Sequence, residues 1–189
     1  MTWRSSRVRL HGETESAARE RYKYYLQQAL SCIHPSAYFY IGKQPLADEW
    51  ALSTNPIPIP LQTRDGGVLY LTATQSFRTK RQKREWKVST QAYIYNVSEW
   101  ADTRDYMFAW HWHPSQPPEC HLHVSAELSN HMKLDKKHLP TARVSFEEVL
   151  RFLIEEFDVE PAKSEWQGVL AETQERYERH RSWWGSTRD

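Results

Sequence analysis

Residues 106–125 read YMFAWHWHPSQPPECHLHVS, in which the pattern His-x-His occurs twice around a proline-rich link. Side chains two apart on a strand share a side, so the two histidines of each pair point the same way. The histidines are His111, His113, His121 and His123. The apolar residues that alternate with them are Phe108, Trp110, Trp112, Cys120, Leu122 and Val124. Because residues opposite each other on paired strands share a face, a hairpin with its apolar side in the core gathers all four imidazoles on the other side.

Clustered imidazoles permit two kinds of chemistry, and the sequence leaves both open. Three or four of them could bind zinc or another divalent metal at about 2.0–2.1 Å. Alternatively, one histidine could deprotonate a ribose 2′-hydroxyl while another protonates the leaving oxygen, which requires no cofactor. His131 and His138 follow in the chain and could join the cluster, although surface exposure is the expectation for both. Cys120 is expected to point into the core, which argues against a thiol nucleophile.

Outward from this hairpin, alternating patterns predict an antiparallel meander over residues 68–125. Its other strands are predicted at residues 68–77 and 86–97, with short links that favour antiparallel neighbours. A further short strand is expected around residues 38–41. Residues 55–60 alternate proline with other residues and are predicted to be an extended segment at the edge of the sheet, because proline cannot donate to a central ladder.

Three segments have helical patterns: residues 14–33, 145–158 and 162–183. Ser145 and Glu148 have the spacing of a capping box at the start of the second helix. Glu147, Glu155 and Glu156 are expected to lie on its solvated face. The predicted fold class is α+β, with an antiparallel sheet of about four to six strands and the helices packed on one face.

A basic stretch lies between the first two meander strands and is predicted to be a loop. Its residues are Arg78, Lys80, Arg81, Lys83, Arg84 and Lys87, with Trp86 among them. Such a cluster beside an aromatic ring could bind phosphates of a nucleic acid, with Trp and Tyr side chains stacking on bases. A solvated turn or a contact with an acidic protein would give the same pattern.

Composition predicts one soluble, cytoplasmic domain spanning residues 1–189. Apolar residues make up 39% of the chain, the mean hydropathy is −0.80, and the first ten residues lack the apolar stretch of a secretory signal. No membrane association is expected. Two cysteines far apart do not form a disulfide framework. The net charge of +1 excludes a globally basic nucleic-acid binder, so any such binding has to be local.

Residues 86–158 resemble the TumE-like toxins of bacterial and archaeal toxin–antitoxin pairs. The segments that carry the resemblance are Tyr93-Ile94-Tyr95, Phe108-Ala109-Trp110, His121-Leu122-His123, residues 138–144 and the helical segment 145–157. This chain departs from the family in its extra N-terminal helix, its Trp-rich C-terminal helix and its second His-x-His pair. The resemblance implies a growth-inhibiting toxin that acts on RNA and is controlled by a partner antitoxin. It also implies that His121 and His123 are functional residues.

The sequence therefore predicts a toxin-like ribonuclease that uses its histidine cluster for acid/base cleavage, with metal-assisted hydrolysis as a variant. The expected partners are RNA and a cognate antitoxin or other protein. The alternatives are a non-catalytic zinc-binding module and a protein-interaction module of a phage-defence assembly.

Overall fold

A computed structural model of the chain describes residues 11–44, 48–101, 106–114, 119–125 and 139–180. These residues form nine strands and three helices. The strands are β1 (His11–Gly12), β2 (Tyr38–Lys43), β3 (Trp50–Asn55), β4 (Ile59–Gln62), β5 (Val68–Gln82), β6 (Glu85–Ser98), β7 (Phe108–Trp112), β8 (Cys120–Val124) and β9 (Leu139–Pro140). The helices are α1 (Glu15–Leu30), α2 (Phe146–Glu156) and α3 (Trp166–His180).

All nine strands of the described chain belong to one antiparallel sheet whose central element is the long β5–β6 hairpin. The main path runs β2-β3-β5-β6-β7-β8-β9, while β4 pairs with β5 and β1 pairs with β6. The α+β class is confirmed, but the strand count exceeds the predicted four to six. Each of β5 and β6 is long enough to pair with two successive strands along one edge. The shortest of these partner strands have too few residues to show a period.

The proline-rich segment lies at an edge, as predicted. It is divided between two strands on the same side of β5, since β3 ends at Asn55 and β4 begins at Ile59. Pro60 lies within β4, which pairs only with β5, so its missing N–H faces no second strand.

The helices pack on one face of the sheet and close the hydrophobic core there. Phe146 of α2 contacts Phe39 of β2 and Tyr95 of β6, with ring centroids 5.4 and 5.5 Å apart. On α1, Tyr22 packs edge-on against Phe77 at 5.2 Å. The backbone N–H of Val144 donates to the Tyr93 hydroxyl at 2.7 Å, which fixes the entry to α2 on the sheet.

The capping box at Ser145 and Glu148 is confirmed, but three helix boundaries differ from the prediction, and α2 ends at Glu156 rather than residue 158. The first helix ends at Leu30 rather than residue 33. The last begins at Trp166 rather than residue 162 because the preceding segment is bonded to the end of α1. There the Ala162 N–H donates to the Cys32 carbonyl at 2.7 Å, and Lys163 donates to the Ser31 hydroxyl at 2.7 Å.

The predicted exposure of Glu147 is wrong. Its side chain is 1% exposed beneath α3, with one carboxylate oxygen, Oε1, lacking a hydrogen-bond partner within the described residues. Burial raises the pKa of Glu147 to about 7. Helical periodicity places residue 147 beside the apolar stripe, and only the position of α3 determines that this side is covered. Glu155 and Glu156 are exposed as predicted.

No helix in the described ranges is long and apolar enough to cross a membrane. Both cysteines, Cys32 and Cys120, are free thiols. His131, His138 and the predicted helical residues 181–183 lie outside the described residues.

Candidate metal centre

Strands β7 and β8 pair in the register that the sequence predicts. His111 lies opposite His121, Ala109 opposite His123, and Trp112 opposite Cys120. The strand alternation then sends Trp110 and Trp112 into the core, where both are buried, and directs the histidines to the face opposite α1, α2 and α3.

The four imidazoles form one cluster on that face. The ring centroids of His111 and His123 are 4.8 Å apart, those of His121 and His123 are 4.8 Å apart, and those of His111 and His121 are 5.3 Å apart. His113 lies further out, at 5.7 Å from His111 and 6.3 Å from His121. Three members offer ring nitrogens that lie within 4.8 Å of one another, namely His111, His121 and His123, and this group could hold a metal ion.

Two members of this group are buried. His121 is 6% and His123 is 9% exposed, whereas His111 and His113 are half-buried. The ring of Tyr106 meets His123 edge-on at 5.9 Å between centroids. Burial of imidazole lowers stability unless its nitrogens find partners, so a solvated polar surface does not describe this cluster.

Asn96 is a further polar residue on the same face, and the sequence reasoning missed it. It pairs with Ala109, which in turn pairs with His123, so the three form one row across β6, β7 and β8. Its Oδ1 atom is buried and has no hydrogen-bond partner within the described part of the chain. A buried oxygen of this kind is satisfied by a protein donor, an ion, a water or a ligand beside it. The available signal was the alternation Tyr93-Ile94-Tyr95-Asn96, whose tyrosines mark the core side.

Burial shifts the pKa values of His113 and Cys120, which lie beside the three-histidine group. Burial, with a smaller contribution from His121, lowers the pKa of His113 below its usual 6.5. Burial raises the pKa of the Cys120 thiol, so this residue is a poor nucleophile, in keeping with its expected direction. Arg143 lies over the Trp112 ring at 3.4 Å and covers the far side of that strand.

The basic stretch is the end of the β5–β6 ribbon rather than a loop. Only Lys83 and Arg84 lie between the two strands, and Lys83 has a positive φ of 57°. The apolar alternation ends near Phe77, where the register shifts and beyond which most β5 side chains are exposed. The side chains that are exposed are those of Arg78, Lys80, Arg81, Lys83 and Arg84, while Trp86 and Lys87 are half-buried.

The ribbon lies well away from the histidines, although part of it shares their side. His111 pairs with Ile94, so β6 residues at the ribbon lie about 17–30 Å from it along the strand. Thr74 pairs with Ile94, and alternation along β5 carries the histidine side to Arg78 and Lys80. The paired Lys87 shares that side, whereas Arg81 and Trp86 point to the other. Arg78 is also bound to Glu49 at 3.0 Å.

Comparisons with protein-family models, with curated proteins and with solved structures gave no match for this chain. The assignment of a function therefore depends on the geometry of the site.

Proposed function

We propose that His111, His121 and His123 bind one divalent metal ion, zinc in the first instance, and that this centre cleaves RNA. The observation that carries the proposal is the set of three ring nitrogens within 4.8 Å of one another on one sheet face. Catalytic zinc centres have three protein ligands and one open position, and three histidines are one of the ligand sets they use. Tetrahedral coordination at about 2.05 Å requires nitrogens about 3.3 Å apart, so the side chains would have to rotate to close the present spacing of up to 4.8 Å.

The same distances disfavour cleavage by this trio without a metal. A base and an acid on opposite sides of a phosphate each need a hydrogen bond of about 2.6–3.2 Å. Two such bonds alone span about 5.2 Å or more, and the phosphate oxygens have to fit between them. One nitrogen of each ring lies within 4.8 Å of the other two, which is closer than this span and suits one shared cation better.

Each residue of the cluster then has a distinct task. His111, His121 and His123 hold the metal, which when bound acidifies a coordinated water to a pKa near 7 and polarises a phosphoryl oxygen. His113 stays outside the ligand set and is placed to hydrogen-bond the substrate or the attacking water. The Asn96 amide, in the row of His123, is placed to orient a group in the outer shell.

RNA is the substrate that the surroundings favour. Lys80 and Lys87 present positive charge on the same side of the sheet as the histidines, where phosphates several nucleotides from the cleaved bond would pass. The resemblance to TumE-like toxins adds the biological role, a growth-inhibiting cytoplasmic toxin held in check by an antitoxin. Free thiols at Cys32 and Cys120 fit a reducing compartment.

The test combines metal analysis with RNA cleavage. The protein is loaded with Zn²⁺, dialysed, assayed for bound metal, and incubated with total RNA with and without chelator. We expect one zinc per chain and cleavage that chelator abolishes, and both should be lost in His121→Ala/His123→Ala. The matched control is His11→Ala, since His11 is bound to Glu85 outside the cluster. Cleavage that persists in chelator would show that the reaction needs no metal. Intact RNA in every lane would show that the protein is not a ribonuclease.

A structural zinc site is the second candidate, and the burial of His121 and His123 favours it. Structural sites are closed to solvent, whereas catalytic sites keep a position open. This candidate predicts stoichiometric zinc, no RNA cleavage, and a large loss of stability when metal is removed.

A further inference from the structure

A cavity of about 200 Å³ lies beside the histidine cluster, and the proposed metal chemistry does not use it. Its lining comes from the end of β6, the start of β7 and the end of β8. The lining residues are Glu99, Trp100, Tyr106, Met107 and Ser125.

The cavity lies about the length of one nucleotide from the proposed metal centre. Tyr106 belongs to both, because it lines the cavity and its ring lies 5.9 Å from that of His123. Ser125 follows His123 by two residues, a displacement of about 7 Å along the chain. A ligand in the cavity would therefore place an attached group at the histidines.

Backbone hydrogen bonds hold the lining in place. The Met107 N–H donates to the Val97 carbonyl at 2.7 Å, and the Ser125 N–H donates to the Met107 carbonyl at 2.9 Å. The Ser98 hydroxyl donates to the Trp100 carbonyl at 2.8 Å and fixes the turn that carries the indole. These bonds preorganise the cavity, which lowers the entropic cost of binding.

The lining chemistry suits a base rather than a phosphate. Trp100 is 67% exposed and offers a flat ring for stacking, and Tyr106 adds a second aromatic surface. None of the described lining residues is basic, so this part of the lining offers a phosphate no cation. The Glu99 carboxylate only accepts hydrogen bonds when ionised. Among the RNA bases, guanine presents two neighbouring N–H donors, N1–H and N2–H, on its Watson–Crick edge, which match the two carboxylate oxygens.

We propose that this cavity is a guanine subsite, in which Trp100 stacks on the base and Glu99 accepts hydrogen bonds from its Watson–Crick edge. The inference rests on the proposed ribonuclease function and gives it a sequence preference. RNA would be cut next to guanosine, since the base in the cavity fixes which phosphate reaches the metal.

Nucleotide binding tests the subsite without requiring cleavage. GMP, AMP, CMP and UMP are titrated into the full-length protein by calorimetry, and we expect GMP to bind at least 10-fold more tightly than the others. Glu99→Gln should remove that selectivity, and Trp100→Ala should weaken all four nucleotides about 10-fold. The matched controls are Glu13→Gln and Tyr24→Ala, which alter exposed residues elsewhere. Equal affinities, or selectivity that survives Glu99→Gln, would overturn the subsite.

Mapping of the RNA cuts separates the two proposals. Cuts beside guanosine that become indiscriminate in Glu99→Gln support the subsite. Cuts without base preference in the unaltered protein overturn the subsite but leave the ribonuclease standing. GMP-selective binding with no RNA cleavage supports the subsite and overturns the proposed ribonuclease function.

Discussion

The two faces of the sheet both bury side chains, but they bury different kinds. The face beneath the helices holds aromatic and aliphatic groups, such as Phe39, Phe77 and Phe146, that stack edge-on across the layers. The opposite face buries His121 and His123, and none of the described helices covers them. One face is explained by packing alone, whereas the other is not.

The difference separates stability from function. Each apolar side chain on the helix face contributes favourable transfer free energy and dispersion contacts. Buried imidazoles contribute little by themselves, because their desolvation opposes whatever contacts they gain. Packing alone therefore gives no account of the cluster, in keeping with the metal centre proposed above. We therefore expect substitutions on the helix face to lower stability most, and substitutions on the histidine face to lower metal binding most.

The largest effect on stability is expected on the helix face. Phe146→Ala removes a fully buried ring that contacts Phe39 and Tyr95, and it should lower the free energy of unfolding by about 3–5 kcal/mol. His121→Ala, measured in chelator, should cost clearly less. Urea unfolding of both variants gives the comparison. Equal losses would show that the histidines belong to the structural core.

With zinc present, His121→Ala should lower the free energy of unfolding more than Phe146→Ala does. At a zinc concentration about 1,000 times its Kd, binding adds about 4 kcal/mol to the unfolding free energy. We expect this increment in the unaltered protein and in Phe146→Ala, and its absence in His121→Ala. Thermal unfolding with zinc, with Mg²⁺ as a control that prefers oxygen ligands, measures it. A shift that His121→Ala retains would place the zinc elsewhere.

Period-two alternation made the central sheet and the cluster predictable. The register that puts His111 opposite His121 follows from the two apolar triplets around the proline link, since a slip by one residue would expose both tryptophans. The capping box at Ser145 was legible for a similar reason, because it depends on two residues three apart.

Features that depend on tertiary neighbours were not predictable from the sequence. The basic ribbon was mistaken for a loop because its charged and mostly exposed side chains lack the alternation that reveals a strand. Glu147 was assigned to the surface because the path of α3 cannot be read from α2. The side on which Asn96 lies could be read from its alternation with Tyr93 and Tyr95, but its row with His123 depends on pairing across β7, which places Ala109 between them.

Glu147 is the ionisable exception on the helix face and gives a stability effect that depends on pH. Its folded-state pKa is raised from 4.5 to about 7, so the folded protein holds a proton that the unfolded chain releases. Its contribution is therefore full below about pH 4.5 and is lost as the pH rises through 7. Glu147→Gln should raise the unfolding free energy at pH 8 by up to about 3 kcal/mol.

The matched control for this effect is Glu156→Gln, which alters an exposed carboxyl of the same helix. The difference between Glu147→Gln and the unaltered protein should shrink as the pH falls toward 4.5, by urea unfolding at several pH values in chelator. A gain that is the same at pH 4.5 and pH 8 would show that ionisation of Glu147 is not its source.

The smallest effect concerns the ribbon, where two neighbouring residues point to opposite sides of the same strand. Lys80 lies on the histidine side and Arg81 on the other, so they are matched in position along β5 but not in direction. If RNA follows the histidine face, Lys80→Ala should make the dependence of log RNA-binding constant on log salt concentration shallower by about 0.7. Arg81→Ala should change this slope less. Filter binding of a single-stranded RNA at several salt concentrations measures both.

Zinc affinity should be unchanged in either variant, because the ribbon lies about 17–30 Å from the cluster. Equal losses for Lys80→Ala and Arg81→Ala would mean that RNA is attracted to the tip from both sides, and that the histidine face does not define its path.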